Sequence, residues 1–163
     1  MVREEFENYG IRARQEISPT ELAGRYPSQV KAEKQILVDV LTKLEINPDN
    51  RLLEIGCGPG QILIPVSFLV SEATGIDHPK VCSVLNKRFR SDNLTCIPGN
   101  FMDFDFGSRT YDRILCYSVL STLPREEVSH FLGKAISLLE PGGKMLVGDL
   151  ANKDMKSRFT QSQ

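Results

Sequence analysis

The chain has 163 residues, enough for one domain that buries a core without metal or disulfide staples. Its 20 basic and 21 acidic residues leave a formal charge of -1, and neither a basic excess nor a basic stripe points to nucleic acid. Hydrophobic content of 40% and charged content of 25% are those of a globular protein. No apolar run approaches the roughly 18 residues that cross a bilayer. The polar start Met1-Val2-Arg3-Glu4-Glu5 lacks the apolar stretch of a signal peptide, so the expected location is cytoplasmic.

Residues 1–27 mix charged and turn-prone types without a clear period and read as a loosely packed N-terminal lead-in. From Ser28 to Ile46, Val30, Ile36, Leu37, Val40, Leu41 and Leu44 recur at helical spacing. Ser28 is the expected N-cap, and Asn47-Pro48-Asp49-Asn50 ends the helix with turn chemistry. Arg51-Leu52-Leu53-Glu54-Ile55 is a short apolar run ending in glycines, which suits a strand buried on both faces. A helix is expected over 62–70 with Pro65 near its first turn, then a strand over 72–77 and a helix over 79–90.

A third strand follows over 94–97, a loop over 98–109, and a fourth strand over 111–117. Pro124 opens a helix whose apolar face is Val128, Phe131, Leu132, Ala135, Ile136 and Leu139; Pro141-Gly142-Gly143 breaks it before a fifth strand over 144–149. Strands alternating with helices imply a doubly wound, mainly parallel sheet of five strands covered on both faces, a three-layer α/β sandwich over 28–150 with a polar tail over 151–163. Ligands in such sheets bind beyond the carboxyl ends of the strands, so function belongs in the loops after each strand.

Cys57, Cys82, Cys96 and Cys116 show no C-x-x-C spacing, and His78 and His130 flank nothing resembling a zinc site. No metal is expected, and the cysteines read as buried free thiols. The cluster Lys87-Arg88-Phe89-Arg90 closes a helix and complements its dipole.

The segment that carries chemistry is Glu54-Ile55-Gly56-Cys57-Gly58-Pro59-Gly60, directly after the first strand. Alternate glycines permit backbone angles and a close ligand approach that a β-carbon blocks, and the amides that follow are donors at a helix start. A dinucleotide fingerprint G-x-G-x-x-G from Gly56 requires glycine at 61, where Gln61 stands instead. Asp77 ends the second strand, about 20 residues on, where this fold aims a carboxylate at a ribose diol. The alternative for Asp77 alone is a solvated loop aspartate.

With these residues in place, the chain resembles the class I S-adenosylmethionine-dependent methyltransferases, whose fold is Rossmann-like, over roughly residues 30–150. The first motif of that family appears as Leu52 to Gly60 and its second-strand acid as Asp77. Gly99-Asn100-Phe101 matches the adenine loop, Tyr111 to Cys116 the fourth strand, and Leu138 to Leu146 the junction before strand five. The resemblance implies S-adenosyl-L-methionine as cofactor and S-adenosyl-L-homocysteine as product. It implies that the backbone of Gly56 and Cys116 receives the methionine amino group with Glu54 close by, within the turn of Gly56, Cys57, Gly58 and Gly60. Asp77 takes the ribose, His78 lies against the adenine face, Asn100 contacts the adenine amino group and the Phe101 amide a ring nitrogen. The family more often has aspartate where Asn100 stands, and an amide oxygen accepts the same hydrogen bond.

The expected reaction is direct methyl transfer, with the cofactor supplying the difficult chemistry. The expected acceptor is a small molecule, and no catalytic base is identified. Asp149, at the end of strand five, is a candidate base or a structural cap; Tyr117 and Ser118 either face substrate or wall the pocket. Phe101, Phe104 and Phe106 line a pocket or tuck into the core, and His130 is structural. The family sheet continues past strand five, whereas 150–163 offers no further strand, so strand five is expected at an exposed edge open to a dimer partner or to further sequence. Two alternatives remain: a non-catalytic cofactor- or partner-binding domain, and a nicotinamide oxidoreductase, which Gln61 disfavours.

Overall fold

Leu52 and Leu53 are both fully buried, and as neighbours on a strand they point to opposite faces, so this strand is covered on both sides. The computed structural model, which describes residues 2–15, 17–23 and 30–150, builds a five-stranded sheet around it. The strands are β1 (Arg51–Ile55), β2 (Glu72–Asp77), β3 (Leu94–Pro98), β4 (Tyr111–Tyr117) and β5 (Leu139–Gly148). They run parallel in the order β3-β2-β1-β4-β5.

One apolar layer joins Leu52, Ala73 and Leu115 to Val40 of α3 (Val30–Lys43) and Leu44 just after it, Leu63 and Val66 of α4 (Leu63–Ser67) and Leu85 of α5 (Pro79–Arg88). The opposite layer joins Leu53, Ile55, Ile76, Ile114 and Cys116 to Phe131 and Ala135 of α6 (Arg125–Ser137). The three-layer α/β architecture expected from the sequence is therefore present. The helix expected from Ser28 runs over Val30–Lys43; Ser28 as its N-cap lies outside the described residues. The helix expected over 62–70 is only Leu63–Ser67.

Strand β5 starts earlier than expected, at Leu139, and passes through Pro141-Gly142-Gly143. Tyr111 pairs with Leu139 and Arg113 with Lys144, so the irregular register between them absorbs these residues. Helix α6 has already ended at Ser137. Below the sheet, Asp112 accepts from the Asn50 side chain at 2.7 Å and from the Arg51 amide at 2.9 Å, tying the entry of β1 to β4.

The lead-in departs most from expectation. Residues Val2–Arg12 form α1 and Pro19–Leu22 form α2, the latter capped by Ser18 and Glu21 in a reciprocal box. Phe6, Tyr9 and Gly10 fall on one side of α1, and that side packs on His78 at the start of α5: the Phe6 and His78 rings lie 4.8 Å apart. A β-carbon at Gly10 would come within 2.2 Å of the imidazole, so glycine permits the contact.

The cysteines also differ from expectation. Cys82 in the first turn of α5 and Cys96 in β3 are joined as a disulfide, with Cα atoms 5.7 Å apart, because α5 packs directly on its succeeding strand. Cys57 and Cys116 are free and buried.

Candidate cofactor and acceptor site

From β1 the chain runs outward to β2 and β3, then returns to β4 on the other side of β1. That reversal opens a crevice at the carboxyl ends of β1 and β4, where open α/β sheets bind ligands. The glycine turn lies there. Gly56, Gly58 and Gly60 have φ of 74°, 54° and 85°, the left-handed region that side chains disfavour. At Gly56 a β-carbon would meet Val119 Cγ2 at 2.3 Å, so the loop after β4 rests on the bare turn.

The turn is held from three sides. The Gly56 amide donates to the Ile76 carbonyl at 2.9 Å, and the Gly58 amide donates to Asp77 Oδ2 at 2.7 Å. Arg88, at the end of α5, donates to the Pro59 carbonyl and, at 2.9 Å, to Gln61 Oε1. Arg88, expected to complement the helix dipole, thus also clamps the glycine loop.

Asp77 accepts a second amide, that of His78, through Oδ1 at 2.6 Å. Burial raises its pKa, against the opposing pull of the Gly58 and His78 amides. Each carboxylate oxygen keeps acceptor capacity beyond one amide, so two diol hydroxyls fit this group while the amides hold it in place.

The cleft encloses about 1050 Å³ including its open mouth. Glu54, Gly56, Cys57, Gly58, Asp77, Asn100 and Phe101 all line it, so seven of the residues singled out from sequence converge. Gly60 shapes the turn from behind, where a β-carbon would meet Ile64. Cys116 is fully buried and does not line the cleft, and burial pushes its thiol up to about 12. Burial also pushes the Cys57 thiol up, so neither cysteine is a ready nucleophile.

His78 is turned away from the cleft lining. Its Nδ1 accepts the Lys80 amide at 3.2 Å as the N-cap of α5, which leaves the neutral ring's proton on Nε2, 3.5 Å from Glu7 of α1. Asn100 uses Oδ1 to accept the Met102 amide at 2.9 Å, closing its own loop. Phe101 and Phe106 are buried in an aromatic cluster with Phe131, so these loop rings join the core.

Two contributions were missed in the sequence. Glu5, Phe6 and Tyr9 of α1, with Leu22 and Ala23 from α2 and its end, roof the cleft. Burial raises the pKa of Tyr9, with Arg12 opposing and the Asp77 and Glu5 carboxylates adding to the rise. Lys134 of α6 donates to the Met102 and Phe104 carbonyls at 2.9 and 2.7 Å, pinning the Asn100 loop. The spacing Phe6, Tyr9, Gly10 was a readable helical face; nothing in the sequence marked Lys134.

A glycine turn with left-handed backbone, a part-buried carboxylate at the end of β2 and a loop after β3 meet at the crevice of a Rossmann-like sheet. Residues 52–143 match the methyltransferase domain family, and the chain belongs to that family, in its class I, S-adenosylmethionine-binding form. It is 30% identical over 105 residues to a probable ribosomal RNA small subunit methyltransferase A of Methanothermobacter thermautotrophicus, covering 64% of this chain and 35% of that protein. It is 24% identical over 139 residues to the sterol 4-C-methyltransferase strm-1 of Caenorhabditis elegans, covering 79% and 41%. The chain thus spans well under half the length of these two relatives. The fold is similar to the N-methyltransferase NodS of Bradyrhizobium japonicum in complex with S-adenosylhomocysteine, with a TM-score of 0.74, 18% identity, and coverage of 95% of this chain and 77% of that one.

Among the described residues, no helix is long and apolar enough to cross a membrane, and no group of three or more His, Cys, Asp or Glu is arranged for a metal ion.

Proposed function

We propose that the chain, with residues 28–150 as its core, binds S-adenosylmethionine and transfers its methyl group directly to a small-molecule acceptor. The observation that carries this reading is Asp77, part-buried at the end of β2 and hydrogen-bonded to the Gly58 amide at 2.7 Å. That pairing presents a carboxylate and a glycine cradle to the same cleft.

In this reading Asp77 binds the ribose hydroxyls, Gly56, Glu54 and the Cys116 backbone hold the methionine end, and Asn100 and the Phe101 amide hold the adenine. His78 acts indirectly, seating α1 over the cleft instead of stacking on adenine. When bound, the cofactor supplies an activated methyl group whose leaving group is a neutral thioether. The chain's part is to orient it, and α1 excludes water from above.

The preference for a small acceptor rests on the roof: Glu5, Phe6, Leu22 and Ala23 narrow the mouth that a polymer would have to enter. The relatives named above are a ribosomal RNA and a sterol methyltransferase, so the acceptor is decided by experiment. β5 lies at the sheet edge, and completion of that edge by a second copy is part of the proposal.

The test has two arms. Calorimetry with S-adenosylmethionine and S-adenosylhomocysteine reads the cofactor; release of S-adenosylhomocysteine across amine, phenol, sterol and RNA acceptors reads the reaction. Binding without turnover on any acceptor favours a non-catalytic domain, and turnover on RNA alone overturns the small-acceptor reading.

A further inference from the structure

Two side-chain-bearing residues with left-handed backbone face each other at the mouth of the cleft. Ser118 has φ of 62° and Asp149 φ of 59°, and Ser118 Oγ donates to Asp149 Oδ2 at 2.6 Å. In register, Cys116 pairs with Val147 and Tyr117 with Gly148, so Ser118 and Asp149 are the next step beyond the last pair of β4 and β5. The Ser118 amide still reaches the Gly148 carbonyl at 3.2 Å. Both strands then turn into a conformation that a side chain makes costly, and such outliers persist where surrounding structure holds them for a purpose.

Their position gives the purpose. Ser118 lines the same cleft as Gly56 and Asp77, and its neighbour Val119 rests on Gly56. Asp149 is exposed beside it, in contact with solvent. With its own proton committed to Asp149, the Ser118 hydroxyl offers the cleft oxygen lone pairs, which suit an N–H or O–H donor. The short bond to a carboxylate strengthens that acceptor.

We propose that Ser118 receives the proton of the methyl acceptor and passes its own to Asp149, the pair serving as a proton relay for an amine or hydroxyl acceptor. This rests on the cofactor reading above. In the step, the acceptor's lone pair forms the bond to the methyl carbon while the carbon–sulfur bond breaks and its electron pair stays on sulfur. The acceptor's proton moves to Ser118 Oγ as the Ser118 proton moves to Asp149, and Asp149 returns it to water. Ser118 touches the acceptor; Asp149 acts through it as a positioning and proton-holding residue.

The test needs no identified acceptor. Sinefungin carries a protonated amine where the cofactor carries its methyl sulfonium, whereas S-adenosylhomocysteine carries nothing there. Calorimetry measures both on the wild-type chain, on Ser118→Gly, which suits the observed backbone, and on Asp149→Asn, which keeps a hydrogen bond and loses the charge.

Wild type is expected to prefer sinefungin, and each variant to reduce that preference by about tenfold, the scale of one charge-assisted hydrogen bond. S-adenosylhomocysteine affinity stays unchanged in both. A preference within about twofold of wild type in both variants overturns the relay. Equal loss of both ligands also overturns it, because the residues would then belong to cofactor binding or to the fold. Failure of wild type itself to bind S-adenosylhomocysteine is a separate result that removes the cofactor reading and the relay together.

Discussion

Asp77 and Gly58 are joined by a 2.7 Å hydrogen bond from the glycine amide to Oδ2, so the carboxylate that faces the cleft also holds the turn beside it. Asp77→Ala is expected to lower S-adenosylhomocysteine affinity on the order of a hundredfold, equivalent to about 3 kcal/mol, since two hydrogen bonds to a charged acceptor are lost. Titration calorimetry measures it; an affinity within a few fold of wild type contradicts the assignment of Asp77 to the ribose.

The raised pKa of Asp77, caused first by burial, gives a pH dependence of definite sign. The folded state holds this proton more tightly than the unfolded chain does. Its contribution to stability is therefore most favourable below the ordinary aspartate range and declines as pH rises to the raised value. Diol binding needs the carboxylate, so ligand affinity runs the other way, weakening as pH falls at values where an exposed aspartate is still ionised. Asp77→Asn removes both slopes, and calorimetry and thermal melts across acidic pH read them.

Gly56 and Gly58 separate backbone needs from ligand needs. Gly56→Ala sets a β-carbon 2.3 Å from Val119 at a φ of 74°, so the melting temperature is expected to fall and binding with it. A β-carbon at Gly58 would meet nothing within 4 Å, so alanine there costs only the left-handed strain, about 1–2 kcal/mol, while the added carbon enters the proposed ligand space. Loss of S-adenosylhomocysteine binding should exceed loss of stability for Gly58→Ala. Equal melting shifts for the two variants would sink this distinction.

Helix α1 is seated through Gly10, where a β-carbon would come within 2.2 Å of the His78 ring. Gly10→Val is expected to lift α1 from α5, speeding S-adenosylhomocysteine release by about tenfold or more with little change in the sheet core. Stopped-flow displacement reads the rate; an unchanged rate would mean that α1 does not cover the ligand.

Protein purified without reductant and then denatured should present two titratable thiols, Cys57 and Cys116. Reduction should yield four thiols and lower the melting temperature by the equivalent of up to about 3 kcal/mol, the constraint expected of a loop closed across 14 residues. Four thiols before reduction would refute the Cys82–Cys96 bond.

What the sequence determined by itself was local. Short segments bounded by turn residues marked the five strands, most plainly the apolar run of β1, where Leu52 and Leu53 are buried on opposite faces. The glycine spacing and Asp77 marked the cleft, because left-handed backbone and a strand-end carboxylate are properties of single positions. Only tertiary packing decided the rest. The meeting of Phe6 with His78, of Arg88 with Pro59, of Lys134 with the Asn100 loop and of Ser118 with Asp149 each joins segments far apart in the chain. No periodicity encodes such pairs; they exist because the sheet order sets which strand ends lie side by side, and helices packed across that order bring their side chains to the same crevice.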